Sequence, residues 1–312
     1  MADHEKVMGV SMTRRQAVKA GAVAFLGMAL ASGGMASLPV RRAFATTPEW
    51  IDSSDFQDKK YTWMMQFKGV QIENVGAKYP LSIHDSITTQ DNNTYRNVLS
   101  HKYPDAGELD ALAGNAVRFT GAEYSDGTLV DLVVTVQGYE KDFRSGYTYP
   151  QYPYNYFIAA LSDDNLKGTN PQISTSTKPG APLFEWAGFK YIDFGFKFVY
   201  AGTQTAFPVS GHFSLSDLDW GERVSFGQVD KVLILKGNKF VHVEYDEMVA
   251  ELGERDSLAD STVTVLLDNV SSFSMRAHQN PWKSGLYCLD STTNVNIVPD
   301  NPEKTVLIRG DE

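Results

Sequence analysis

Beyond residue 45 the apolar positions recur with a period of two, the spacing of a strand with one face buried. Leu132, Val134 and Val136 point one way from one such segment. Phe194, Phe196, Phe198 and Tyr200 form one face of another, interleaved with Gly195, Lys197 and Val199. Val232 to Leu235 is a continuous apolar run, as expected of a strand covered on both sides. Lys236-Gly237-Asn238-Lys239 and then Phe240 to Tyr245 follow it, which predicts a tight hairpin, because Gly supplies the positive φ that a two-residue turn needs. Further strands are predicted at 61–68, 116–124, 154–161, 207–215, 262–268, 271–277 and 304–309.

Helical periodicity is nearly absent. Asp105 to Ala113 carries a short stripe of Leu109, Leu112 and Ala113, and a second helix candidate surrounds Asp246 to Leu252. Parallel sheets need crossover helices, and the pattern offers none. The expected fold is therefore all-β, an antiparallel β-sandwich or jelly roll with little helix. Residues 46–115 are more polar and less regular, and are expected to form either a smaller N-terminal lobe or outer strands with long loops.

The first 45 residues break this pattern and read as an address. A polar opening leads to Thr13-Arg14-Arg15-Gln16-Ala17-Val18-Lys19, and a charge-free run from Ala20 to Ala31 follows. That run is too short for a membrane span, which takes about 20 residues. Ala43-Phe44-Ala45 supplies a small-x-small cleavage site, making Thr46 the expected mature N-terminus. The segment resembles twin-arginine (Tat) signal peptides, whose pattern is Ser/Thr-Arg-Arg-x-Phe-Leu-Lys. Thr13, Arg14, Arg15 and Lys19 match, Val18 stands in for Leu, and Ala17 departs from Phe. Arg41 and Arg42 disfavour the Sec route. The resemblance implies a cleaved signal over 1–45, export through the Tat translocase, and a single mature domain over 46–312.

Residues 1–45 hold six of the 28 Lys/Arg and two of the 38 Asp/Glu, so the mature chain carries a formal charge of −14. Such a surface repels nucleic acid and anionic lipid. The one cysteine, Cys288, lies in the apolar run Leu286-Tyr287-Cys288-Leu289 and reads as a buried structural residue. One cysteine allows no internal disulfide and no thiolate metal cluster. The sequence ends Ile308-Arg309-Gly310-Asp311-Glu312, without an apolar tail or a sortase signal, so release or non-covalent retention is expected. The mature chain is expected to have no membrane span.

Local catalytic signatures are missing: no nucleophile elbow, zinc helix or phosphate-cradling loop occurs. This favours a non-catalytic role, although paired carboxylates in a glycosidase need no local motif. Three features carry candidate chemistry. Phe143 to Phe157 packs five Tyr and two Pro into one stretch. Pro keeps this stretch out of helix and central strands. Tyr147, Tyr149 and Tyr152 then present apolar area with a hydroxyl at low entropy cost, suited to a sugar ring or a protein surface. The alternative is that these rings cover one end of the core.

The second feature is Asp217, Asp219 and Glu222 in Ser214 to Glu222, a candidate calcium site, since hard cations want oxygens from a turning loop. Its alternative is an Asx-turn with Trp220 packed beneath. The third is His242-Val243-Glu244, whose His and Glu share a strand face and read as a hydrogen-bonded surface pair rather than a metal site. No other cofactor is expected.

The Ser214 to Glu222 turn after the Phe207 to Phe213 strand, with the later Ser271 to His278 strand, resembles segments of adhesin-like β-sandwich modules in Gram-positive surface proteins. The resemblance spans residues 128–278. It implies a surface-exposed module that binds an extracellular glycan or surface protein. The chain departs from those proteins in lacking tandem repeats. Two rival functions stay open: an extracellular polysaccharide hydrolase with paired carboxylates, and a structural assembly module held by calcium or a Lys–Asn bond.

Overall fold

A computed structural model describes the chain from residue 44 to residue 310. Residues 1–43, 51–60, 89–93, 103–107, 144–147, 162–179, 236–239, 253–260, 281–283, 291–304 and 311–312 lie outside the described residues, as do positions 62, 64, 79, 150, 151, 154, 217, 245 and 246. Every described residue belongs to one compact unit, Val40–Asp311.

The described strands, numbered in chain order, form two large antiparallel sheets. The first runs in space as β1 (Phe44–Trp50), β20 (Thr305–Gly310), β14 (Lys231–Leu235), β17 (Thr262–Val270), β12 (Val209–Ser216), β19 (Ser284–Asp290), β10 (Pro182–Ala187), β9 (Tyr156–Leu161), β4 (Thr94–Lys102) and β3 (Ser82–Thr88). The second runs as β15 (Val241–Glu244), β16 (Glu247–Ala250), β13 (Arg223–Gly227), β18 (Ser272–His278), β11 (Phe189–Tyr200), β6 (Leu129–Lys141), β5 (Ala116–Glu123) and β2 (Gly69–Ile72). A two-stranded ribbon pairs β7 (Thr148–Tyr149) with β8 (Tyr152–Pro153). No helix among the described residues is long and apolar enough to cross a membrane.

Alternation makes these strands. In β18, Phe273, Met275 and Ala277 are buried while Ser272, Ser274, Arg276 and His278 are half-exposed. The inner faces of both sheets meet in one apolar layer. Phe184 and Trp186 of β10 lie 4.9 and 5.8 Å from Phe194 of β11, ring centre to ring centre. Phe213 of β12 stacks on Phe273 at 5.2 Å, and Phe273 stacks on Phe196 at 4.4 Å. The antiparallel β-sandwich expected from the pattern is thus present, and Phe194, Phe196 and Phe198 are core residues as expected. Tyr200, the last residue of that predicted face, is 43% exposed.

The hairpin expected between Val232–Leu235 and Phe240–Tyr245 does not form. β14 pairs with β17 and β20 in one sheet, whereas β15 pairs with β16 in the other. Both edges of β14 are taken by strands from later in the sequence, so the chain leaves β14 for the opposite layer. The hairpin lies one strand later, with Glu244 opposite Glu247 across a two-residue connection. The helix candidate at Asp246–Leu252 is therefore strand β16, buried at all four positions between β13 and β15. Tertiary pairing overrides helical propensity there.

The 105–113 stripe reduces to a 3₁₀ turn at Glu108–Ala111, with Leu109 and Leu112 fully buried and Ala113 exposed. Residues 61–68 supply the alternation of a strand, burying Tyr61, Trp63, Met65 and Phe67. The described ones among them belong to no strand. Their backbone bonds are isolated ones: Phe67 N–H donates to Gly180 O at 2.9 Å, Lys68 N–H to Thr120 O of β5 at 2.8 Å, and His212 N–H of β12 to Trp63 O at 3.4 Å. The regular pairing starts only at Gly69, where β2 meets β5.

Candidate functional site

The outer face of the eight-stranded sheet, near its β2 edge, carries a cleft. Val117 and Phe119 of β5 face the core, so Arg118 between them and Thr120 after them face outward. Arg118 stands opposite Gln71 of β2 on one side and Val133 of β6 on the other. On β6, Val130 and Leu132 face the core and Asp131 faces outward. Arg118 and Asp131 are nonetheless buried, at 5% and 2% exposure.

Buried charges need partners, and these have them. Arg118 Nη1 donates to Asp131 Oδ2 at 3.1 Å and to the Thr203 carbonyl at 3.0 Å, while Nε donates to Glu73 Oε1 at 2.5 Å. Asp131 also accepts the Gly121 N–H on Oδ1 at 3.0 Å and the Gly202 N–H on Oδ2 at 2.8 Å. Burial works against the Arg118 cation, but the hydrogen bonds and charges of Glu73 and Asp131 outweigh it, and its pKa is raised.

Two irregularities place those amides. The β5–β6 register slips between Phe119 and Ala122, and Gly121 sits there at φ 79°. This bulge aims its N–H across at Asp131. After β11 the chain turns at Tyr200–Thr203, closed by Thr203 N–H to Tyr200 O at 3.0 Å, with Gly202 at φ 71°. A type II turn requires a positive φ at that third position. The turn is then fastened to the sheet by Asp131 and Arg118. Gln71, Glu73, Thr120, Gly121, Ala201, Gly202, Thr203 and Gln204 join the ion pair in lining an open cleft of about 560 Å³. Small-molecule sites span about 300–1,000 Å³.

None of these lining residues was singled out from the sequence. The available signal was a charge embedded in an apolar strand, in Val117-Arg118-Phe119 and in Val130-Asp131-Leu132. What pairs them is the β5–β6 register, and that depends on the bulge.

The residues that were singled out fall elsewhere. Tyr149 and Tyr152 stand directly opposite each other in the β7–β8 ribbon, and Tyr147 lies outside the described residues. Of the candidate calcium set, Asp217 also lies outside them. Asp219 and Glu222 belong to one tight turn, closed by Glu222 N–H to Asp219 O at 2.9 Å. Its central residues, Trp220 and Gly221, have φ of 49° and 79°. Two positive values make it a type I′ kind of turn, natural for Gly and strained for Trp. Trp220 is 36% exposed and Leu218 is buried. Among the described residues no three His, Cys, Asp or Glu side chains are grouped to hold a metal ion. His242 Nε2 lies 3.5 Å from Glu244 Oε1 on the surface, an ion-pair distance rather than the expected hydrogen bond, and Cys288 is buried as expected.

Desolvation pushes the Asp219 carboxyl up to about 7 from an ordinary 3.8. The neighbouring Tyr287 hydroxyl is pushed up by its own burial and then by the charges of Glu222 and Asp219. A carboxyl raised on folding leaves the fold unaffected below about pH 4 and weakens it progressively as pH rises towards 7. Asp219→Asn should therefore match the native protein in chemical denaturation at pH 4. It should exceed it by about 1–3 kcal/mol at pH 8, less than the full ~1.4 kcal/mol per unit because the group is partly solvated. Equal differences at both pH values would refute the assignment.

No protein-family model matches the chain, and no curated protein matches it. Solved structures to which it is similar include the N-terminal domain of the Streptococcus gordonii adhesin Sgo0707, at 10% identity and TM-score 0.43. That alignment covers 75% of this chain, which spans 62% of the length of the Sgo0707 chain. Others are the glucan binding protein C of Streptococcus mutans (12% identity, TM-score 0.40, 80% of this chain and 81% of that one) and the adhesin domain of PrgB from Enterococcus faecalis (11%, 0.41, 83% and 93%).

Proposed function

We propose that this protein is exported by the Tat route and acts, at the cell surface or outside the cell, as a non-catalytic binding module for a glycan or a protein. The observation that carries the reading is the Arg118 cleft, a recess of ligand size floored by a rigid sheet and hydrogen-bonded backbone. Binding modules place contact groups on such pre-formed surfaces, because ordering them on contact would cost affinity. Asp131 is poorly placed for acid–base work, which leaves the cleft without a pair of free carboxylates. Both Asp131 oxygens accept N–H groups, whereas Glu73 is tied to the guanidinium through Oε1 alone. A general acid or base must present an uncommitted oxygen to the substrate.

Export rests on the residues of the first 45 positions. Cleavage after Ala45 would leave the β1–β20 pairs from Pro48↔Ile308 to Trp50↔Val306 in place. In cells with a functional Tat pathway, the native chain should appear outside the cytoplasm with Thr46 at its N-terminus. Arg14→Lys with Arg15→Lys should retain it inside, and unchanged export of that variant would remove Tat from the account.

The Tyr149↔Tyr152 pairing in the ribbon adds a second candidate contact surface, with Tyr147 beside it in sequence. Binding of the exported protein to arrayed glycans and extracellular-matrix proteins, with and without Ca²⁺, tests the binding role. A specific ligand is expected, and its loss in the Tyr147→Ala/Tyr149→Ala/Tyr152→Ala variant would assign it to the ribbon. A folded protein that binds nothing on either array would contradict the binding role.

A further inference from the structure

Three places in the described residues could carry more chemistry than their fold needs. The strained Trp220 turn sets a 36% exposed indole between partly buried neighbours. The Tyr156–Glu185 pair, hydroxyl to Oε1 at 2.5 Å, is sealed under an apolar cluster. The Arg118 cleft is open, sized and polar, and its groups restrict what it can accept.

Arg118 meets two carboxylates there, Glu73 and Asp131, so the cleft offers no surplus positive charge. Three of the five guanidinium N–H groups are already spent on Glu73, Asp131 and Thr203. The rest of the mature chain is strongly acidic. An anionic ligand would meet the repulsion of that surface as a whole, with Lys197 Nζ at the Gln204 carbonyl (2.9 Å) and the Lys68 side chain beside Gly121 as the nearest further cations.

Besides the two remaining guanidinium N–H groups and Glu73 Oε2, the unspent groups are neutral. The Gln71 and Gln204 amides and the Thr120 hydroxyl line the cleft, and none makes a side-chain hydrogen bond to a described residue. Each can both donate and accept. Groups of that kind match vicinal hydroxyls, which do the same. The wall between them is Gly121, Ala201 and Gly202; a Cβ added at Gly202 would meet nothing within 4 Å, and one at Gly121 would meet the Lys68 side chain at 3.6 Å. That leaves a low surface on which the C–H face of a ring can lie.

We infer that the Arg118 cleft is a subsite for a short neutral saccharide, held by Gln71, Gln204 and Thr120 against the Gly121–Gly202 wall. The inference rests on the binding-module reading and names its ligand class. Asp131 acts as a positioning residue, because it fixes both the bulge and the turn that form the wall.

The test uses the exported protein and titration calorimetry with neutral oligomers of glucose, galactose and N-acetylglucosamine, and with sialylated and uronate oligomers as the anionic set. At least one neutral oligomer should bind, with an affinity little changed between low and physiological salt. Gln71→Ala with Gln204→Ala should weaken it at least tenfold. Both residues are exposed, so the melting temperature should not move. A Thr120→Val variant should weaken it several-fold without either Gln change. Binding confined to anionic oligomers, no binding of any oligomer, or binding indifferent to these substitutions would overturn the inference. If a protein or another glycan still bound through other residues, the binding-module reading would survive that loss.

Discussion

Phe194 sits where the two sheets meet, against Phe157, Phe184 and Trp186 of the facing layer. Closing that aromatic layer is the constraint from which the rest follows. Burying each such side chain contributes about 1.5–3 kcal/mol, and the layer continues through Phe196, Phe273 and Phe213. Once alternate residues of β11, β18, β5 and β6 are committed inward, the intervening ones must face out. Register errors of one residue would swap the two sets. The functional surface is therefore a by-product of the core: Arg118, Thr120 and Asp131 face outward because Val117, Phe119 and Leu132 face inward.

The two outer faces differ. On the ten-stranded sheet, Val98, Ile158, Ala160, Leu183, Ala187 and Cys288 make a second buried apolar cluster. The eight-stranded sheet instead carries charge pairs. Arg118–Asp131 holds its β2 end, and Arg276 grips Asp193 with two bonds of 2.6 and 2.8 Å nearer the middle, its guanidinium 4.1 Å from the Tyr191 ring. Such pairs add little net stability, since desolvation offsets their attraction. They do specify geometry, because a stranded partner is costly. At the β2 end that specificity is spent on two backbone amides, and a turn that would otherwise move is fastened to the sheet.

The fold class was legible because period-two alternation is a local property, read directly in β6, β11 and β18. Partner choice was not. Lys236-Gly237-Asn238-Lys239 has hairpin chemistry, yet β14 finds β17 and β20, which lie 27 and 70 residues further on, counted from the strand ends. Residues 61–68 alternate as a strand would, because burial needs only an extended chain, not a ladder. The cleft was invisible for a related reason. Arg118 and Asp131 are 13 positions apart, and they meet only through a bulge whose sequence mark is a single Gly121. The aromatic run at 147–152 and the acids at 217–222 drew notice as local clusters, whereas the cleft is assembled from β2, β5, β6 and the turn after β11.

The Gly121 and Gly202 amides offer the most direct view of this arrangement. Gly202 is exposed in the turn and Gly121 is at a bulge, positions where amides ordinarily exchange fast with solvent. If Asp131 holds the cleft in shape, site-resolved hydrogen exchange on the exported protein will find both amides slow, and both accelerated together in Asp131→Asn. Exchange of either amide at the rate of an unstructured chain in the native protein would contradict a pre-formed site.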